Sequence, residues 1–182
     1  MDAGLAALAG AGLGVLGTAA TGGLAAWATR WQARMQVQVG QNQARQQARR
    51  VAYTKLLRSV TAVRASIGET VDALRASTPD PDECHSLFGA ARALGREWDA
   101  ASSAVLMEGP DAVAQAALPL INSVNKECDE VRRWCAAVAK ADQNIAKDAR
   151  AGYKIAWGNS QPLLERFINV ARAGLPEQIE TY

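Results

Sequence analysis

Residues 3–29 read AGLAALAGAGLGVLGTAATGGLAAWAT and contain no charged side chain. As a helix, these 27 residues would extend about 40 Å, and the hydrocarbon core of a bilayer is about 30 Å thick. The sequence therefore predicts a transmembrane anchor over residues 1–30. A cleaved signal peptide is the weaker alternative, because the only early charge is the acidic Asp2 and no polar region ends the run. A buried helix of a soluble protein would rarely stay uncharged for so long.

The residues on either side of this run predict its orientation. Asp2 precedes it, whereas Arg30 and Arg34 follow at once. The positive-inside rule then places the N-terminus outside the cell and the long C-terminal part in the cytoplasm. Trp27 and Trp31 lie one helical turn apart at the predicted cytoplasmic edge, where indole rings favour the headgroup level. We therefore expect a single-pass protein of the cell membrane with lipid as a partner.

Small residues on one face of the anchor predict pairing of transmembrane helices. Gly10 and Gly14 form a G-x-x-x-G step, and Gly17 continues the same face. Such small side chains let two helices approach closely in lipid. We expect a homo-oligomer, and the alternative is that this face only reflects an Ala- and Gly-rich composition.

A basic, Gln-rich neck over residues 31–50 follows the anchor. Before Glu69 the chain has eight basic residues and only Asp2 as an acid, a net charge of +7, whereas the remaining twelve basic and seventeen acidic residues give −5. Val37, Ala44 and Val51 recur at heptad spacing, which favours a short parallel coiled coil, although a solvated neck with no partner is an equal alternative. The predicted basic patch consists of Arg45, Arg49, Arg50 and Lys55.

Two partners could attract this basic patch. An anionic inner leaflet attracts juxtamembrane cations, and so does nucleic acid. The membrane is the preferred explanation because the charges begin where the apolar run ends. Nucleic acid is the weaker alternative as a partner, because no helix-turn-helix signature accompanies the cations.

Residues 51–175 predict an antiparallel four-helix bundle, and residues 176–182 a tail. The composition is rich in Ala and only 5% aromatic, which favours closely packed helices over sheet. The first helix should end near Ser77, before two prolines, and Asp82 should cap the second. A Gly109-Pro110 turn should start the third helix. The fourth should run from about residue 141 to 172, with a kink or short break at Pro162.

Side chains that carry chemistry are few. Cys84, His85, Cys128 and Cys135 lack the short spacing of zinc sites, and an odd number of cysteines without framework spacing predicts free thiols in a reducing compartment. The sequence has no phosphate-binding loop, nucleophile elbow or H-E-x-x-H motif. We therefore predict a non-enzymatic protein without metal or cofactor.

Three segments carry a resemblance to a known group of proteins: RRVAY at residues 49–53, VLMEGPDAV at 105–113 and FINVAR at 167–172. With the Ala- and Gly-rich anchor and the Gln- and Arg-rich neck, this layout resembles the small single-pass, membrane-anchored helical proteins of actinobacteria. Some of these are KilB-type proteins, which are linked to the spread of conjugative plasmids between mycelial compartments. The resemblance implies no catalytic residues and a protein partner in a transfer machinery.

The function expected from the sequence is thus assembly at the membrane, through self-association or a partner, in conjugative plasmid spread. Two other classes stay open at this point. One is a membrane-tethered protein that contacts DNA through its basic patch, and the other is a small pore-forming membrane protein.

The predicted topology can be tested with reporter fusions in intact cells. A reporter that is active only in the cytoplasm should be active when fused after Tyr182 and inactive when fused before Met1. The opposite pattern would show that the charge-free run is inserted the other way, and activity of both fusions would show that it does not span the membrane.

Overall fold

The computed structural model describes residues 3–175, and the side chains of residues 31–175 with the exception of residue 33. The predicted all-α class is confirmed for this part of the chain. The helices are α1 (Ala3–Leu74), α2 (Pro81–Ala93), α3 (Gly95–Glu108), α4 (Asp111–Ala139) and α5 (Gln143–Ala173). The chain divides into two compact units, Met1–Arg45 and Gln46–Tyr182.

The first unit consists of the N-terminal part of α1. Among the residues whose side chains are described, no helix has a stretch that is both long enough and apolar enough to cross a membrane. The predicted anchor at residues 1–30 lies outside those residues. The same holds for the side chains of Gly10, Gly14, Gly17, Trp27 and Arg30.

The second unit is a helical bundle. α4 and α5 form an antiparallel pair, in which the Ser123 hydroxyl near the middle of α4 donates to the Ala156 carbonyl at 3.2 Å. α3 runs back along α4, where the Trp98 indole N–H donates to the Asn125 side chain at 2.9 Å. α1 contacts α5 in the antiparallel sense, with the Tyr53 ring edge-on to Phe167 at 6.2 Å. Four helical arms therefore alternate in direction, with α2 and α3 together forming one arm.

The beginnings of α2 and α5 follow from their capping residues. The Asp80 carboxylate accepts from the Asp82 main-chain N–H at 2.9 Å, and Pro81 occupies the first helical position. The prediction that Asp82 caps α2 is therefore wrong: Asp82 lies inside the helix and donates to the cap, because Pro81, whose fixed φ suits the first helical position, starts the helix one residue earlier. At α5, Asp142 accepts from the main-chain N–H groups of Asn144 and Ile145.

The second arm is interrupted, whereas the last helix is not. A single helix was predicted where α2 ends at Ala93 and α3 begins at Gly95, and glycine at this point weakens helix continuation. α5 instead runs without a break through Pro162. Because Gly158 and Pro162 both lie on the exposed side of α5, water can satisfy the carbonyl that the proline leaves without a donor. The predicted short break at Pro162 is therefore wrong.

The core lies where the apolar stripes of the arms meet. Helical spacing in residues 51–77 predicts such a stripe, and all its members except the half-buried Leu57 are buried with exposures of 4% or less: Leu56, Val60, Val63, Ile67, Val71 and Leu74. α1 ends at Leu74, three residues before the predicted end at Ser77. Phe167 and Leu120 face this stripe from α5 and α4 and have no exposed area.

Phe167 should therefore be essential to the stability of the bundle. We expect Phe167→Ala to lower the free energy of unfolding by about 3–5 kcal/mol, since a fully buried aromatic side chain leaves a cavity. Ile155→Ala is the matched control, because Ile155 is 61% exposed on the same helix, and we expect a change within about 0.5 kcal/mol. Urea unfolding followed by circular dichroism gives both values. Equal effects of the two substitutions would contradict this description of the core.

Candidate functional site

A row of polar and basic side chains covers the solvent side of α1 in the bundle. Its members, which include the apolar Val51, lie on this single helix with a shallow depression of about 420 Å³ between their side chains: Gln47, Arg50, Val51, Thr54, Lys55 and Arg58. Steps of three and four residues place them on one helix face, opposite the buried Leu56 and Val60. We call this surface the basic groove.

Only part of the predicted basic patch lies in the basic groove. Arg50 and Lys55 do, and Arg58, which the prediction left out, joins them. Arg49 does not, because it precedes Leu56 by two helical turns and faces the same side, where its Nε–H donates to the main-chain carbonyl of Glu108 at 3.0 Å. Arg45 is exposed and belongs to the first unit.

The described residues of the predicted membrane interface, Trp31 and Arg34, are exposed, Trp31 by 57%. They lie in a part of α1 that presents several large apolar side chains to solvent. Met35 is 46%, Val37 58% and Val39 54% exposed, and Val51 in the basic groove is 43% exposed. This concentration of apolar surface on one helix differs from the bundle, where the stripes are largely covered.

The connection between α3 and α4 forms a second surface feature, which we call the α3–α4 corner and which comprises residues 106–111. Met107 is 84% exposed and Leu106 39%, and the carboxylates of Glu108 and Asp111 are exposed beside them. Gly109 is required here, since a Cβ atom would lie 2.6 Å from the Val105 carbonyl oxygen. The corner therefore presents apolar and acidic groups on a tightly turned main chain.

Behind the basic groove, an ion pair is buried between three helices. Arg64 of α1 and Glu127 of α4 are joined by a 3.1 Å contact from Nη2 to Oε1, with side-chain exposures of 9% and 0%. The same Arg64 nitrogen donates to the Ser160 hydroxyl of α5. The Trp157 ring covers the guanidinium, with its centroid 4.9 Å from Cζ. Arg64 Nε and Glu127 Oε2 have no hydrogen-bond partner among the described residues.

The spacing of apolar residues in α4 predicts that charged residues such as Glu127 and Arg133 lie off the apolar seam, and for Glu127, which is fully buried, this prediction is wrong. Arg133, its expected neighbour on that surface, pairs instead with Glu130 at 3.3 Å. A signal was present, because Glu127 falls at the three- and four-residue steps between Val124 and Val131, which are both buried. The pair would have been indicated by two charged residues at apolar spacing: an acid at a core position of α4 and a base near a core position of α1.

The three cysteines are free, as predicted. Cys84 and Cys135 are buried where α2 meets α4, and the Cys135 thiol lies 3.8 Å from the Cys84 carbonyl oxygen. Burial raises the pKa of the Cys135 thiol to about 11. Burial, followed by the Glu127 and Asp129 charges, raises the pKa of the Cys128 thiol to about 11 as well. Both thiols are therefore protonated at neutral pH and are poor nucleophiles.

His85 is exposed on α2. Across the part of the chain that the structure describes, no three histidine, cysteine or carboxylate side chains are placed to hold a metal ion. In comparisons with known proteins, no family model, no curated protein and no solved structure matches the chain.

Because Arg64 and Glu127 are buried together, replacing one of them should lower the free energy of unfolding more than replacing both. We expect Glu127→Ala to lower the free energy of unfolding by about 3–5 kcal/mol, because it leaves the Arg64 charge buried without a partner. Replacing both partners, as Arg64→Met with Glu127→Leu, should recover most of that loss. Asp129→Ala, which removes the exposed Asp129–Arg132 pair, is the control and should cost less than about 1 kcal/mol. A double variant as unstable as Glu127→Ala would show that the charges themselves stabilise the bundle.

Proposed function

We propose that this protein is a non-enzymatic, single-pass membrane protein that acts in conjugative plasmid spread through self-association or through assembly with a partner. The observation that carries the proposal is the exposed apolar surface of α1 at Met35, Val37 and Val39, whereas the bundle buries its own stripes. A helix with this much exposed apolar surface gains free energy when a partner covers it.

The neck has the features of a helix that pairs with a second copy. Val37 is 58% exposed and lies one heptad before the exposed Ala44. A Cβ atom at Gly40, which lies between them, would meet nothing within 4 Å, so another helix has room to approach. These three residues match the alternating a and d positions of a parallel coiled coil.

The pairing should end before Val51. In a parallel dimer continued to that residue, Arg50, Lys55 and Arg58 of the two copies would lie close together, and like charges at short range repel. No carboxylate of α1 precedes Glu69, so α1 itself offers no counter-charge there. We therefore assign the seam to the first unit, with Val37 and Ala44 at its centre.

Membrane anchoring rests on the sequence. The charge-free residues 3–29 supply the span, and Arg30 and Arg34 supply the cytoplasmic flank. The role in plasmid spread rests on the resemblance of three segments, RRVAY, VLMEGPDAV and FINVAR, to KilB-type membrane-anchored proteins. Of these, RRVAY contributes Arg50 and Val51 to the basic groove, and VLMEGPDAV contains the α3–α4 corner.

The basic groove favours one competing function, contact with DNA at the membrane. Arg50, Lys55 and Arg58 lie on one exposed face, and phosphates would bind there. The affinity of such a contact should be low, because neutralising three phosphates contributes a logarithmic salt slope of only about −3. A gel-shift titration between 50 and 200 mM salt distinguishes the two functions: binding that persists at physiological salt would favour DNA contact over assembly.

The assembly proposal predicts that the oligomeric state depends on the anchor and the neck. In mild detergent the full-length protein should be a dimer or larger, because the small face of the anchor permits close packing. Gly10→Ile with Gly14→Ile should shift it towards monomer, and Val37→Asp should weaken it further. Gly10→Ala with Gly14→Ala is the matched control, since alanine keeps the face small. Size-exclusion chromatography with light scattering measures the mass.

The same measurement on a shortened chain that starts at Arg50 locates the interface. We expect a soluble, helical monomer, because residues 50–175 bury their own apolar stripes. Oligomerisation of this shortened chain to the same extent as the full-length protein would place the interface in the bundle and contradict the proposal. An unchanged mass after the isoleucine substitutions would show that the small face is only compositional.

A further inference from the structure

The connection between α1 and α2 is exposed and loosely held. Ser77 and Thr78 lie between the end of α1 at Leu74 and the start of α2 at Pro81, and both are exposed. Within the described residues, neither of the two forms a hydrogen bond through its main chain or its hydroxyl group. Because Thr78 precedes Pro79, its main chain favours an extended conformation. Exposed connections of this kind are the segments that enzymes acting on a folded chain can reach.

Thr78 borders a cavity of about 580 Å³, which we call the end cavity and which lies between this connection and the α4–α5 turn. Its apolar lining includes the buried Trp134. On α5, Lys147 and Arg150 also line it, whereas Ser77 does not belong to its lining residues. The end cavity therefore brings one exposed hydroxyl group together with two cations.

The two cations of the end cavity have no carboxylate partner among the described residues. The Arg150 guanidinium lies over the Trp134 ring, with Cζ 5.8 Å from the centroid, which holds it beside the cavity without neutralising its charge. Asp142 also lines the cavity, but its carboxylate accepts from the main-chain N–H groups of Asn144 and Ile145. The end cavity can therefore receive an anion.

We propose that Thr78 is a phosphorylation site and that Lys147 and Arg150 bind the phosphate. A serine/threonine protein kinase transfers the terminal phosphoryl group of a nucleoside triphosphate to the Thr78 hydroxyl. A bond forms between Oγ1 and phosphorus, the bond from phosphorus to the bridging oxygen breaks, the hydroxyl proton passes to a base of the kinase, and the nucleoside diphosphate leaves.

The product carries a charge of about −2 and three strong acceptor oxygens at residue 78. Lysine and arginine form charge-assisted hydrogen bonds with such a group. The connection, which the unmodified chain holds only through local contacts, is then tied to α5. Phosphorylation thus orders this end of the bundle, and this inference does not depend on the proposed function.

Mass spectrometry of the full-length protein isolated from the cells that encode it tests the modification. Trypsin releases Thr78 within the peptide of residues 76–92, which an arginine precedes and an arginine ends. The same peptide contains Ser77 and Ser86 as internal controls. We expect phosphate on Thr78 and on neither serine. Phosphate on the serines alone, or none on this peptide in any phase of growth, would overturn the assignment.

Full-length protein made with phosphorylated Thr78, by site-specific incorporation of phosphothreonine, tests the binding of the phosphate. Phosphorylation should raise the melting temperature by about 2–4 °C. Lys147→Gln with Arg150→Gln should abolish this gain. The gain is compared within each background, so any effect of the two substitutions on the unmodified protein cancels. Phosphorylated Ser77 is the matched control, and its effect should not depend on the two cations.

The pKa of the phosphate gives a second measurement, which does not depend on stability. The second pKa of an exposed phosphate is about 6, and nearby cations lower it because they favour the doubly charged form. Carboxylates would raise it, but Asp142 and Asp80 both accept helix-capping hydrogen bonds, and the lining residues of α1 and α4 carry no charge.

A phosphorus NMR titration of phosphorylated Thr78 measures this pKa. We expect a value about 0.5–1 below that of an exposed phosphate, and a return to about 6 in Lys147→Gln with Arg150→Gln. A phosphate pKa near 6 in both proteins, or an equal gain in melting temperature with and without the two cations, would overturn the contact with α5.

Discussion

The Arg64–Glu127 pair fixes how the arms of the bundle sit against each other. Apolar contacts are not directional, so they leave more freedom in the register of the arms than a buried charge does. A buried charge removes that freedom, since any register that separates Arg64 from Glu127 leaves an unpaired ion in the core. Ser160 extends the same constraint to α5. With α1 held in one rotation, Leu56 faces inward and the basic groove faces outward.

The sequence predicted the parts of the fold that depend on local periodicity and turn residues. The apolar stripe of α1, the turn at Gly109-Pro110 and the end of α5 at Gly174 lie where spacing and glycine or proline placed them. Rules based on helix-breaking residues were less successful where packing of the same helix opposes the break. Pro162 was expected to kink or break α5, but the helix continues through it, because the carbonyl left without a donor lies on a solvated face and Ser160 and Phe167 on either side are buried. The second arm is interrupted at Leu94 and Gly95 although Ala91 and Trp98 on either side are buried, because glycine weakens helix continuation there.

The site was harder to predict because it depends on which face each charge occupies. Arg49 and Arg50 are neighbours in sequence, yet one contacts the corner and the other lies in the basic groove, since successive residues on a helix point about 100° apart. Glu127 was assigned to the surface because it is charged, although its spacing from Val124 and Val131 places it on the buried face of α4. The α3–α4 corner carried no signal as a surface, because the exposure of Met107 follows from the packing of α3 against α4.

The corner also determines where foreign sequence can be inserted into this protein. Its main chain is held by Arg49 and by the close approach of Gly109 to Val105, so added residues there would detach α1 from the end of α3. Within the described residues, the hydrogen bonds and ion pair of the connection between α1 and α2 are local, from Arg75 and Ala76 to the last turn of α1. Arg75, Ala76, Ser77 and Thr78 are exposed, and α2 is capped only from Asp80. An epitope or fluorescent tag placed within residues 76–78 would leave every long-range hydrogen bond of the described bundle intact, which makes this turn the natural position for an internal label.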